Sequence, residues 1–135
     1  MPNTKATGVA YLDPEFSTCY ATEELGYAAA AQGTVTQLTS KSTAVTLNKS
    51  MGRITMNNAS LATATNATFT LNNTTISAND TVILTISGGQ ATPGSYNAFA
   101  NALDTGSVSI TLRNISGGSL SEAVVINFCV LHGAA

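Results

Sequence analysis

Residues 107–113 read SVSITLR, and the fold turns on how these residues are placed. Val108, Ile110 and Leu112 fall on one side of an extended chain; Ser107, Ser109, Thr111 and Arg113 fall on the other. Successive side chains of a strand point to opposite faces, so this alternation predicts a strand half buried against a core. The same period of two runs outward in both directions. TFTLN (68–72) brings Phe69 and Leu71 together, TAVTLN (43–48) Val45 and Leu47, and GRITM (52–56) Ile54 and Met56. DTVILTIS (80–87) aligns Val82, Leu84 and Ile86 and leaves Ile83 on the polar side. TVTQL (34–38) and SYNAFANAL (95–103) are further strand candidates.

Turn-forming stretches separate these segments: SGGQATPG, LDTG and ISGGSLS, with glycine supplying the positive φ that turns demand. Short strands at such spacing predict an all-β chain. The expected strands are 34–38, 43–48, 51–57, 67–73, 80–87, 95–103, 106–113 and 122–131. The expected fold is a single antiparallel β-sandwich of about eight strands, jelly-roll-like in count. The sandwich domain spans 33–135 and an irregular N-terminal arm spans 1–32.

The final strand differs from the others. Val124, Ile126, Phe128 and Val130 share one face, while Val125, Cys129 and Leu131 share the other, interrupted only by Asn127. A strand apolar on both faces is covered on both. The second cover comes either from another subunit or from the N-terminal segment. Val125, Asn127, Cys129 and Leu131 are therefore the candidate subunit-interface residues.

The arm holds four of the eight aromatics (Tyr11, Phe16, Tyr20, Tyr27) and four of the seven acids (Asp13, Glu15, Glu23, Glu24). TEELGYAAAAQG (22–33) predicts a short helix with Thr22 as cap and Gly33 as stop, weakened by Gly26. The arm either packs on its own sandwich or reaches a neighbouring surface. In the second case Tyr11, Asp13, Phe16, Tyr20 and Tyr27 are its docking residues.

Composition narrows the function classes. Charged residues make up 9% of the chain, against about 25% on average. Thr, Ser and Asn together account for 46 of 135 residues. A surface of neutral hydroxyls and amides suits close packing against identical copies or a large partner. Residues 1–24 carry a net charge of −3 and the remainder +1, with five basic residues scattered along the chain. That leaves no phosphate-tracking patch, so no nucleic-acid partner is expected. No apolar run approaches the roughly 18 residues of a membrane span. Asp13 and Glu15 stand where a secretion leader would be apolar. Cys19 and Cys129 are expected as reduced thiols of an intracellular product, with a bridge between the chain's two ends as the alternative. Seven Asn-x-Ser/Thr triplets begin at Asn48, Asn58, Asn66, Asn72, Asn73, Asn79 and Asn114. They read as strand-and-turn composition.

Catalytic groups are scarce. The one histidine, His132, lies close to the end of the sequence, and there is no C-x-x-C pair or acid-rich calcium loop. SGGSLSE (116–122) lacks both the nucleophile elbow and the phosphate-loop lysine, and reads as a turn. Asp13 with Glu15 and Glu23 with Glu24 are close acidic pairs, but both sit in the arm rather than across a fixed cleft. No enzymatic activity, metal or cofactor is expected. For sugar recognition the chain offers no Trp, leaving Tyr96 and the arm tyrosines as platforms.

Three longer phrases carry a resemblance: GTVTQLTSKSTAVTLNKSMGRITMNNASL (33–61), TFTLNNTTISANDTVILTISGG (68–89) and LRNISGGSLSEAVVINFCVL (112–131). They resemble small virion proteins of tailed bacteriophages, most specifically between Arg113 and Phe128. The resemblance implies a non-catalytic structural role. It points to a capsid decoration or cement protein that trimerises on the outer surface of the head and contacts the major capsid protein. Such a chain would be made in the host cytoplasm, without a leader. Similar modules occur on tail fibres and spikes, so a receptor-binding module for host glycan is the second expectation. A pilin-like or surface-layer subunit is a third, disfavoured by the missing leader.

Overall fold

The computed structural model of the chain describes residues 16–133. Eight strands form: β1 (Gln32–Thr36), β2 (Val45–Thr46), β3 (Met51–Thr55), β4 (Asn66–Asn72), β5 (Thr81–Gly88), β6 (Tyr96–Asp104), β7 (Ser107–Asn114) and β8 (Val125–Leu131). Each coincides with an alternating segment of the sequence, because each apolar stripe has a core to face. Val108, Ile110 and Leu112 of β7 are buried, as are Phe69 and Leu71 of β4 and Ile54 of β3. Val124, Ile126, Phe128 and Val130 join them in one cluster. Burying each such side chain contributes about 1.5–3 kcal/mol before conformational entropy is counted.

The strands make two sheets, β1-β3-β8-β5 and β2-β4-β7-β6. β3–β8, β5–β8, β4–β7 and β6–β7 are antiparallel. The two edge pairs are not: β1 runs parallel to β3, and β2 parallel to β4. The sandwich is thus antiparallel at its centre and parallel at one edge of each sheet. Chain path explains this. From β1 to β4 the chain alternates between the two sheets, so each return to a sheet repeats the earlier direction. The likeness to a jelly roll is one of strand count.

Two expectations change locally. The helix over 22–33 is absent; a 3₁₀ turn at Ala29–Ala31 stands there, and Gln32 and Gly33 already belong to β1. Helices this short need a tertiary face to bury, and residues 22–30 are exposed except for Tyr27. The strand over 43–48 contracts to Val45–Thr46 because residues 40–43 close a turn. The Ser40 N–H donates to Thr43 Oγ1 at 3.0 Å, and the Thr43 N–H reaches the Ser40 carbonyl at 3.2 Å.

The loops are fastened by buried polar side chains. Asn114 is fully buried: Nδ2 donates to the carbonyls of Leu61 (2.9 Å) and Gly118 (2.8 Å), while Oδ1 accepts from the Ser116 N–H (2.9 Å) and hydroxyl (2.7 Å). Asn73 repeats the device, donating to the Lys49 carbonyl at 2.7 Å and accepting from the Thr75 N–H and hydroxyl. Two of the Asn-x-Ser/Thr triplets are therefore turn locks. Lys41 is also buried, its Nζ donating to the carbonyls of Asn57 and Glu122, both at 2.5 Å. Gln37 beside it donates to the Lys41 and Thr43 carbonyls and accepts from the Asn57 N–H. In the tight β6–β7 connection Gly106 takes φ +83°, a conformation that costs a side-chain-bearing residue energy.

Candidate assembly face

The outward face of β1-β3-β8-β5 collects the expected interface residues. In β8, Val125, Asn127, Cys129 and Leu131 alternate with the core residues and point away from them. Register extends them into rows. Cys129 lies between Met51 of β3 and Ile83 of β5, and Asn127 lies between Arg53 and Thr85. Leu131 pairs with Thr81, and Val125 with Thr55. Ile83 is 52% exposed and Leu131 61%, so an apolar band crosses the sheet and is left open at its β5 side.

Polar contacts organise the rest of the face. Asn127 Oδ1 accepts from Arg53 Nε at 3.3 Å and from the Ser87 hydroxyl at 3.0 Å, joining β3, β8 and β5. A shallow groove of about 360 Å³ lies beside it, lined by Gln32, Thr34, Met51, Arg53 and Asn127 among others. The arm enters on the same side. Tyr27 donates its hydroxyl to the carbonyl of Val130, Gln32 Nε2 donates to the Tyr27 carbonyl at 2.8 Å, and Lys49 Nζ donates to the Ala30 carbonyl at 2.7 Å. Burial first, and then the neighbouring Cys129 and Asp80, push the Tyr27 hydroxyl up from its ordinary pKa. Tyr27 therefore stays protonated and keeps its donor role.

The five arm residues separate. Tyr27 pins the root of the arm to its own sheet, whereas Phe16 (66%) and Tyr20 (90%) are exposed. Tyr11 and Asp13 lie outside the described residues. Of the two fates open to the arm, its root follows the first. Cys19 is exposed, Cys129 is half-buried, and both are free thiols. Sequence reading missed Met51, Arg53 and Ile83 as members of this face. Ile83 had signalled its position by falling on the polar side of its strand.

Among the described residues, His132 forms the one cluster that has the residue types of a hydrolase. Its Nδ1 lies 3.0 Å from Asp80 Oδ2, and Asp80 also accepts from the Ser77 N–H (2.8 Å), the Ser77 hydroxyl (2.9 Å) and the Gly133 N–H (3.0 Å). The order is Ser–Asp–His, with the acid in the middle. A nucleophile relay needs the histidine in the middle, touching the hydroxyl, so here Asp80 acts as a clamp. Among the described residues no three His, Cys, Asp or Glu side chains come together to hold a metal, and no helix is long and apolar enough to cross a membrane. No protein-family model matches the chain, and neither a curated protein nor a solved structure matches it.

Proposed function

We propose that this chain is a non-enzymatic structural subunit of a bacteriophage virion, a decoration protein that binds the outside of the head as a homotrimer. The observation that carries this reading is the open apolar band of Met51, Cys129, Ile83 and Leu131 on a sandwich with few charges, flanked by the root of an aromatic arm. In this reading the band is the contact between copies, with Val125, Asn127, Cys129 and Leu131 at its centre. The arm beyond Tyr27, with Tyr11, Asp13, Phe16 and Tyr20, docks onto the major capsid protein. Three weak arms linked in one trimer raise avidity well beyond one.

The test is co-sedimentation with empty expanded capsids, paired with analytical ultracentrifugation. Deleting residues 2–25 leaves Tyr27 on β8 and should abolish capsid binding while the trimer persists. Ile83→Asp with Leu131→Asp should give a folded monomer. A monomeric wild-type chain, or capsid binding that survives the deletion, would refute the corresponding half. A tail-borne module recognising host glycan is the second reading, favoured by the exposed Phe99 on the opposite face.

A further inference from the structure

The outward face of β2-β4-β7-β6 differs chemically from the assembly face. Register sets Asn66, Arg113 and Asn97 in one row and Thr68, Thr111 and Phe99 in the next, with Asn101 at the β6 bulge beside them. Phe99 is 41% exposed in these rows of amides, hydroxyls and a guanidinium, which contain no carboxylate.

The polar groups around the ring are held in fixed orientations. Thr111 is 3% exposed, and its hydroxyl donates to Asn101 Oδ1 at 3.0 Å. A threonine hydroxyl has one proton, so at its 2.8 Å contact with Thr68 the Thr111 oxygen accepts. The chain of bonds runs Thr68 to Thr111 to Asn101. It directs the Asn101 carbonyl oxygen inward, leaving Nδ2 to donate away from Thr111, and it leaves Thr68 Oγ1 as an acceptor. Arg113 Nη1 donates to Asn66 Oδ1 at 3.2 Å, which orients the guanidinium and leaves the Asn66 amide nitrogen free to donate.

We infer that this face binds a neutral glycan chain. The C–H face of one sugar ring lies on Phe99. Its hydroxyls accept from Asn101, Asn66 and Arg113 and donate to Thr68. Groups already fixed by internal bonds lose little freedom on binding, which favours affinity. A protein partner would need an apolar centre of contact, and here Phe99 is the one apolar side chain in its rows. The site lies across the sandwich from the assembly band, so it is independent of the capsid reading and holds for a head or a tail position.

The experiment is a titration of the ¹⁵N-labelled full chain with hexaoses of β1,4-glucose, α1,4-glucose, N-acetylglucosamine and mannose. The expected result is saturable shifts of the Asn66 and Asn101 side-chain amides with at least one of them. Phe99→Ala and Asn101→Ala, each with an otherwise native spectrum, should weaken that binding about tenfold or more. Co-sedimentation of both variants with capsids should match wild type, so failure here and failure of the capsid reading are separable. No saturable shift with any hexaose, shifts confined to the β1-β3-β8-β5 face, or binding that Phe99→Ala leaves intact would overturn the inference.

Discussion

Asp80, at the entrance to β5, holds His132, just past the end of β8, through an Oδ2–Nδ1 contact of 3.0 Å. The same carboxylate accepts two bonds from Ser77 and one from the Gly133 N–H, so one side chain joins three segments. These bonds, the Ser77 N–H first, lower its pKa from the usual 3.8 to about 2. A carboxylate with a depressed folded-state pKa stabilises the fold above its unfolded value, and that contribution is lost as pH falls through the folded value. The thermal stability of the wild type should therefore fall as pH drops from about 4 to about 2. Asp80→Asn should melt lower at neutral pH and show a shallower loss in that window. Differential scanning calorimetry across the pH series checks both.

Gly52 and Phe128 face each other across the β3–β8 ladder. A Cβ built on Gly52 would lie 2.7 Å from the Phe128 ring and 2.6 Å from Leu47 Cδ2. Gly52→Ala should cost about 1–3 kcal/mol by overpacking, and Phe128→Ala about 3–5 kcal/mol by leaving a cavity. The pair should be coupled: in a Phe128→Leu background, Gly52→Ala should cost less than it does alone. Urea unfolding of the double-mutant cycle measures the coupling, and strict additivity would contradict it.

Asn114→Asp keeps the shape of the side chain and removes its two donors. The new carboxylate would face the carbonyls of Leu61 and Gly118 in a fully buried site. Asn114→Ala takes one donor from each of these carbonyls, leaving Leu61 the Leu120 N–H and Gly118 the Ser116 hydroxyl, and should cost about 1–3 kcal/mol in all. Both variants should lose stability, with Asp the worse above its own pKa. Amide exchange should quicken first at Leu61 and Leu120, whose backbone bonds join the two loops.

Lys41 gives a pH signature of opposite origin. Burial lowers its pKa, and the Glu122 charge opposes that only in part. The folded state thus disfavours the charged ammonium, so this residue's contribution improves as pH rises towards its unfolded value of about 10.4. Lys41→Met should remove that alkaline gain. At neutral pH it should still cost about 1.5–3 kcal/mol, because the carbonyls of Asn57 and Glu122 lose a charged donor. Chemical denaturation at pH 7 and pH 10 separates the two effects.

The strands were legible because a period of two is a local property: Val108, Ile110 and Leu112 announce their shared face without any knowledge of their neighbours. Strand order was not legible. That β1 joins β3 in parallel depends on where the chain goes in between, and nothing within Gln32–Thr36 records it. The buried polar residues were equally silent. Lys41 and Gln37 sit in a polar loop whose composition resembles that of any exposed turn, and only partners distant in sequence explain their burial: the carbonyls of Asn57 and Glu122 for Lys41, and the Asn57 N–H for Gln37. The β8 face was legible from its second apolar stripe. The rows that complete it were not: Met51 and Arg53 reach it through register, and Ile83, marked by its place on the polar side of its strand, gains its neighbours only there.

The position of β8 has a consequence for synthesis. It is the last of the eight strands to leave the ribosome, yet it is central in its sheet, flanked by β3 and β5. The sheet β2-β4-β7-β6 has all its strands by residue 114 and can assemble while translation continues. In the other sheet β5 has no partner until β8 arrives, so Ile83, Val82 and Leu84 must wait as an unpaired apolar edge, the kind of surface that invites wrong pairing. A ribosome stalled before residue 125 would therefore hold a half-built sandwich. Completion of β8 is the event that commits the chain to its fold.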